Sequence, residues 1–231
     1  MDKYFEFLDK GCQYDYSHDI RKRLSRAHTF IKVINEIILD LYTSHPIIIE
    51  LGTTRSYVNG GLEGCMSYDK KYWKLDNPES WDWGAGCFTR VFAEILPNSF
   101  IHTVDINSNH IEVCRTITKE FQNVMYHVSD SAIFLQNMEE PADLIYMDVG
   151  DVTPLEESAM LHKRDAEVII RNNLVKVGGY VLIDDVRCPV PIVEYGEKSC
   201  FGKAKYSIGV FLANGFDIIE DQYQMLLKRM R

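Results

Sequence analysis

The sequence lacks an excess of positive charge, long apolar runs and paired cysteines, and each absence excludes a class of protein. Its 231 residues carry 25 Lys and Arg against 34 Asp and Glu, a formal net charge of −9. A chain of that sign has little general affinity for nucleic acid or an anionic membrane. Apolar runs such as Ile47–Ile49 fall far short of the ~20 residues that span a bilayer. The stretch from Met1 to Lys10 carries charges where a secretory signal needs an apolar segment. Six cysteines (Cys12, Cys65, Cys87, Cys114, Cys188 and Cys200) are scattered, with no C-x-x-C pair. That pattern fits reduced thiols in a cytoplasm better than a disulfide frame or a zinc site. The expectations are a cytoplasmic protein with no nucleic-acid partner and no membrane partner.

What is present is an ordinary globular composition, 46% apolar, long enough for a single well-buried core. Apolar residues recur at gaps of three and four from Ser17 to Leu41, which marks one face of a helix. Arg21, Lys22, Arg23 and Arg26 cluster on its early turns and read as a solvated basic face. Residues 1–45 therefore form a helical lead-in, able to serve a homodimer interface, to one domain over 46–231. Pro46 to Gly52 is a short apolar run closed by glycine, the pattern of a strand buried on both faces. Further strands are expected at 100–105, 124–128, 142–148 and 179–184. Helices are expected at 87–96, 109–121, 132–137, 156–172 and 206–214. Such alternation gives a parallel sheet covered on both faces. At the end, 216–220 and 223–227 lie too close for a parallel crossover, so they form an antiparallel hairpin.

Ligands of such sheets bind beyond the carboxyl ends of the strands. Those ends carry Glu50 and Gly52, Asp105, Asp130 and Ser131, Asp148, and Asp184 with Asp185. Like charges so placed repel one another and gain little from packing. A nucleoside would use them: glycine for close backbone approach, Asp105 for ribose hydroxyls, Asp130 and Ser131 for adenine. Singly, Asp105 reads equally as a turn residue and Asp130 as a helix N-cap.

Glu50-Leu-Gly52, Val104-Asp105, Ser129-Asp130-Ser131, Tyr146-Met-Asp148 and Gly178-Gly-Tyr-Val-Leu-Ile-Asp-Asp185, in this order, resemble the motifs of class I S-adenosylmethionine-dependent methyltransferases. The resemblance covers about residues 45–231. It implies a Rossmann-like, doubly wound α/β fold of three layers, with seven strands ordered 3-2-1-4-5-7-6. It also implies that Glu50, Gly52 and Thr53 lie near the amino-acid part of the cofactor, Asp105 with Ile106 at its ribose, and Asp130 and Ser131 at its adenine. One feature departs from the pattern. About thirty residues separate Gly52 from the helix near Cys87, as though one glycine motif were split and Gly84 and Gly86 formed its second half. This insertion, about 53–85, holds Tyr57, Tyr68, Tyr72, Trp73, Trp81 and Trp83 and reads as a lid or substrate wall.

Asp148 and the pair Asp184–Asp185 end strands that are neighbours in the implied sheet, close enough to converge on one ion. All-oxygen ligation suits Mg²⁺, or Mn²⁺, and the trio is similar to that of the divalent-metal-dependent O-methyltransferases of the catechol and macrolide-sugar types. A metal there would acidify an acceptor hydroxyl. The catechol-type enzymes have a lysine three positions after the fourth-strand Asp, where this chain has Asp151. His162 is then a candidate base beside Asp148. The leading expectation is methyl transfer to a small molecule, at a hydroxyl with Mg²⁺. Its alternatives are an N-methyltransferase on an amine or peptide side chain, an NAD(P)-dependent oxidoreductase read from Gly84-x-Gly86, and a non-catalytic nucleoside-binding module.

Overall fold

The computed structural model describes residues 26–40, 45–53, 87–151, 154–186 and 201–231, together with Tyr4 and Leu8. Seven strands form one sheet: β1 (Ile47–Leu51), β2 (Phe100–Asp105), β3 (Val124–Val128), β4 (Ala142–Met147), β5 (Val175–Ile183), β6 (Phe216–Asp221) and β7 (Met225–Arg229). The helices are α1 (Arg26–Asp40), α2 (Phe88–Ile95), α3 (Ser108–Ile117), α4 (Ser131–Gln136), α5 (Leu155–Arg171) and α6 (Ser207–Ala213), with a 3₁₀ turn at Gly202–Ala204.

The strand order is β3-β2-β1-β4-β5-β7-β6. Pairing is parallel from β3 through β5. β7 is antiparallel to both β5 and β6, so it alone runs against the sheet. The order and the reversed β7 define the Rossmann-like methyltransferase fold that the resemblance implied.

Alternating strand residues feed two cores, because successive side chains point to opposite faces. Ile48, Ile101, Leu144, Tyr146, Tyr180 and Leu182 pack with α1, α2 and α3. Ile49, Leu51, Ile145, Met147, Val181 and Ile183 pack with α4, α5 and α6. The result is a helix–sheet–helix sandwich. Phe88 stacks on Phe92 and on Tyr146, and Phe30 meets all three edge-on. Burying each such ring contributes roughly 1.5–3 kcal/mol, so α1 is a core element of the sandwich.

Strand ends differ from the sequence reading by a residue or two, and β5 and β7 start two or more residues away from where it put them. β5 begins at Val175, four residues before the expected Gly179. Asn173 closes α5 in the left-handed conformation, φ 57°, and the chain enters the sheet directly, with a register shift beside Gly178–Gly179. β7 begins at Met225, because the Tyr223 carbonyl accepts from Val186 N–H instead of joining the ladder. Residues 17–25, the start of the expected first helix, lie outside the described residues.

Candidate active site

The sheet order reverses between β1 and β4, where the connections leaving the paired strands run to opposite sides and open a crevice beyond their carboxyl ends. A cleft of about 250 Å³ opens there, lined by Gly52, Asp105, Ile106, Asp130, Ser131 and Arg164 among others. Gly52 ends β1 with φ +84°, and a Cβ on it would lie 2.5 Å from the Asp148 carbonyl oxygen. The sequence reading assigned the glycine to close approach of a ligand, and Gly52 does line the cleft. The obstruction to a side chain is the protein's own backbone, since β1 and the end of β4 approach too closely for anything but glycine.

Asp105 closes β2. Its Oδ2 accepts the Thr53 N–H at 3.1 Å and faces His110 Nδ1 at 3.1 Å, while Oδ1 accepts the Asn107 N–H at 2.8 Å. A carboxylate offers about four acceptor positions, so about one stays available to a ligand hydroxyl. Ile106 follows, 74% exposed, a large apolar side chain at the cleft wall. The Thr53 hydroxyl is buried near the Glu50 carboxylate, whose pKa it helps hold down, but it makes no well-directed hydrogen bond among the described residues. Such an orphan is costly unless a ligand or water satisfies it.

Glu50 lies beneath this floor. Its Oε2 accepts the hydroxyls of Thr89 and Thr103, tying β1 to α2 and β2. Burial pushes its carboxyl up, against the pull of those hydroxyls. It supports the cleft from within and is not part of its lining.

Asp130 is the N-cap of α4, its Oδ1 accepting from Ala132 and Ile133 N–H. Its Oδ2 accepts from Arg164 Nη1 at 3.0 Å. The Ser131 hydroxyl donates to Asp165 Oδ2 at 2.5 Å and accepts from Arg164 Nη2 at 2.9 Å. This corrects the role expected of Ser131: its hydroxyl proton is committed to Asp165 and is not offered to a ring nitrogen. Its backbone N–H, at the first turn of α4, has no intrahelical acceptor. Arg164 escaped the sequence reading, because an arginine on an amphipathic helix reads as solvated.

Asp148, Asp184 and Asp185 converge as expected, each offering an oxygen within 4.8 Å of the others. The cluster already contains cations. Lys203 Nζ sits 2.8 Å from Asp148 Oδ1 and 2.8 Å from Asp185 Oδ2. Arg26 holds Asp184 through Nε at 3.0 Å and Nη2 at 2.6 Å. Tyr223 donates its hydroxyl to Asp185, and Gln224 Nε2 donates to Asp184 at 2.9 Å. A divalent metal needs those same oxygens at about 2.0–2.6 Å, and the side chains as arranged do not fit one. Arg26 is 4% exposed, which overturns its reading as part of a solvated basic face.

The electrostatics follow. Burial, and then Asp184 beside it, push the Asp148 carboxyl well above the usual range against the pull of Lys203. Burial raises Asp185 too, but Lys203 and Arg26 outweigh this and hold it well below. Of the three, Asp148 reaches outward, its side chain 19% exposed.

His162 does not suit the base role expected of it. It is 0% exposed, and its Nε2 meets the Val149 carbonyl oxygen at 3.1 Å. Burial, helped by nearby Lys203, lowers its pKa to about 3. An imidazole so acidified is a weak base at neutral pH. Gly84, Gly86 and the insertion beyond Thr53 lie outside the described residues.

Searches for relatives add little to this geometry. No family model and no curated protein matches the chain. Among solved structures, the N-methyltransferase NodS from Bradyrhizobium japonicum is similar at 15% identity and TM-score 0.47, over 87% of this chain and 95% of that one. Fibrillarin from Aeropyrum pernix, with natively bound S-adenosyl-L-methionine, is similar at 13% identity and TM-score 0.45, over 86% and 74%. An rRNA methylase from Streptococcus thermophilus is similar at 12% identity and TM-score 0.47, over 87% and 96%. Likeness at this depth carries no argument about acceptor or partner, and the strand order stands by itself.

Proposed function

We propose that the chain is an S-adenosylmethionine-dependent methyltransferase acting on a hydroxyl of a small-molecule acceptor, with Asp148 taking the proton and no divalent metal. The observation that carries this reading is one juxtaposition at the β1–β4 crevice. A cleft with spare nucleoside-binding groups opens beside a half-buried carboxylate whose pKa is raised.

S-adenosylmethionine, when bound, supplies a methyl group activated by its sulfonium. Asp105 would accept a ribose hydroxyl, and Thr53 would satisfy its orphaned hydroxyl on the amino-acid part. Ile106 would cover one face of the adenine. The Ser131 N–H would donate to a ring nitrogen, and Asp130, held by Arg164, would accept from the exocyclic amine. Asp148 would take the acceptor's hydroxyl proton. Its raised pKa makes it a stronger base than an ordinary carboxylate. The cofactor would supply that methyl for an in-line displacement, and the protein's share would be to hold donor and acceptor in line.

An amine acceptor is the second reading. With Asp148 ionised, three carboxylates against two cations leave the cluster one net negative charge, which would draw in an ammonium that then loses its proton to Asp148. The charge of −9 supports a small acceptor over nucleic acid. The reversed β7 counts against a dinucleotide oxidoreductase. Isothermal titration with S-adenosylhomocysteine tests the proposal. Binding that weakens in Asp105→Ala is expected, and absence of binding by the full chain overturns it.

A further inference from the structure

Lys203 is 2% exposed, an unusual place for an ammonium. Burial alone would strip its proton, but Asp148, Asp185 and Asp184 outweigh burial and keep it charged. Two unusual backbone conformations bring it there. Asp185 has φ +50° and Gly202 has φ +42°, and the Lys203 N–H reaches back to the Asp185 carbonyl oxygen at 3.3 Å. A Cβ on Gly202 would overlap that same carbonyl oxygen. The 3₁₀ turn therefore closes on the end of β5 only because residue 202 is glycine. Strained backbone of this kind persists where the surrounding structure enforces it, and here it delivers one amine to two carboxylates.

We infer that the Lys203 ammonium is the resident cation of the Asp148–Asp185 pair, standing where a divalent metal would, so that the chain binds a metal there only once the ammonium is removed. The ammonium and a metal would compete for the same two oxygens, at 2.8 Å from Nζ. A metal could not share the site with it, because a single and a double positive charge a few ångströms apart repel strongly inside a protein. Arg26 on Asp184 adds a second fixed charge of the same sign. Lys203 is thus a positioning residue: it holds Oδ1 of Asp148 while the Tyr146 hydroxyl approaches Oδ2 at 3.5 Å. The inference stands apart from methyl transfer and concerns only what neutralises the acid trio.

Electron paramagnetic resonance of Mn²⁺ titrated with the full chain tests it. The wild type should leave the free-ion signal unchanged at the trio. Lys203→Met, which stays unbranched, ends one atom short of the amine and removes the charge, should bind Mn²⁺ at least ~10-fold more tightly. Asp185→Asn in that background should abolish the gain. Wild-type binding of Mn²⁺ that Asp185→Asn removes would overturn the inference, and so would a folded Lys203→Met that gains none. The wild-type arm decides the matter even where Lys203→Met does not fold. S-adenosylhomocysteine titrated in parallel separates the two proposals, since its failure to bind sinks the methyltransferase reading and leaves the Mn²⁺ result standing.

Discussion

Arg26 and Asp184 lie 158 residues apart in sequence and are joined in the interior, with guanidinium Nε and Nη2 both on the one carboxylate. The pair links the first turn of α1 to the end of β5. Removing one member leaves the other as an uncompensated buried charge. Arg26→Ala should therefore lower stability by about 3–5 kcal/mol, read from urea unfolding. The double change Arg26→Met with Asp184→Leu should recover much of that loss. A single variant as stable as the wild type would show that the pair is not buried in solution.

Asp105 should govern cofactor affinity. Hydrogen bonds to a charged group contribute about 1.5–3 kcal/mol each, so Asp105→Ala should weaken S-adenosylhomocysteine binding about 10- to 100-fold by titration calorimetry. Glu50→Gln, deeper in the wall, should act on folding more than on affinity, because Glu50 contacts Thr89 and Thr103.

Asp148→Asn should separate binding from chemistry. S-adenosylhomocysteine affinity should persist while turnover falls about 100-fold or more, the usual scale for a lost general base. The wild-type rate should rise with pH and level off above the elevated pKa of Asp148, since only the ionised carboxylate accepts a proton. A flat profile across neutral pH would remove Asp148 from the proton-accepting role.

His162 should make stability fall as the solution turns acid. Its pKa is about 3 in the folded chain and near 6.5 when unfolded. Between those values the unfolded chain binds the extra proton, so stability is full above pH 6.5 and declines below it. The whole window is worth on the order of 5 kcal/mol. Comparing wild type with His162→Gln by thermal unfolding from pH 7 to 5 isolates this contribution, and parallel curves would contradict it. His102, lowered to about 4 by burial and by His127 stacked against it, acts in the same direction.

The strands and helices were legible because each buried strand is a short apolar run and each helix keeps one apolar face. The order of the sheet was not legible from periodicity. It came through the resemblance, and the close-set final strands foretold only that they pair antiparallel. The acidic strand ends were visible one by one, and five of the expected cofactor residues do line a common cleft. What could not be read was which of these acids already has a partner. Lys203 and Arg26 lie far from the trio in sequence, and nothing local distinguishes a lysine that will be buried from one that will be solvated. Asp130 and Ser131 show the same limit: a cap and a committed hydroxyl look identical to ligand contacts until the helix beneath them is in place.

The partners of the acid trio arrive late in the chain. Asp184 and Asp185 end β5, but Lys203, Tyr223 and Gln224 are synthesised after them. A nascent chain that has emerged only through β5 holds five of the seven strands and the Arg26–Asp184 pair, yet its Asp185 still lacks Lys203 and Tyr223. Burying that carboxylate without them is unfavourable, so the β5 end of the acid trio depends for its neutralisation on residues that follow it in the chain. A chain cut short after β5 would therefore keep the strands that frame the crevice and lose the groups that neutralise Asp185.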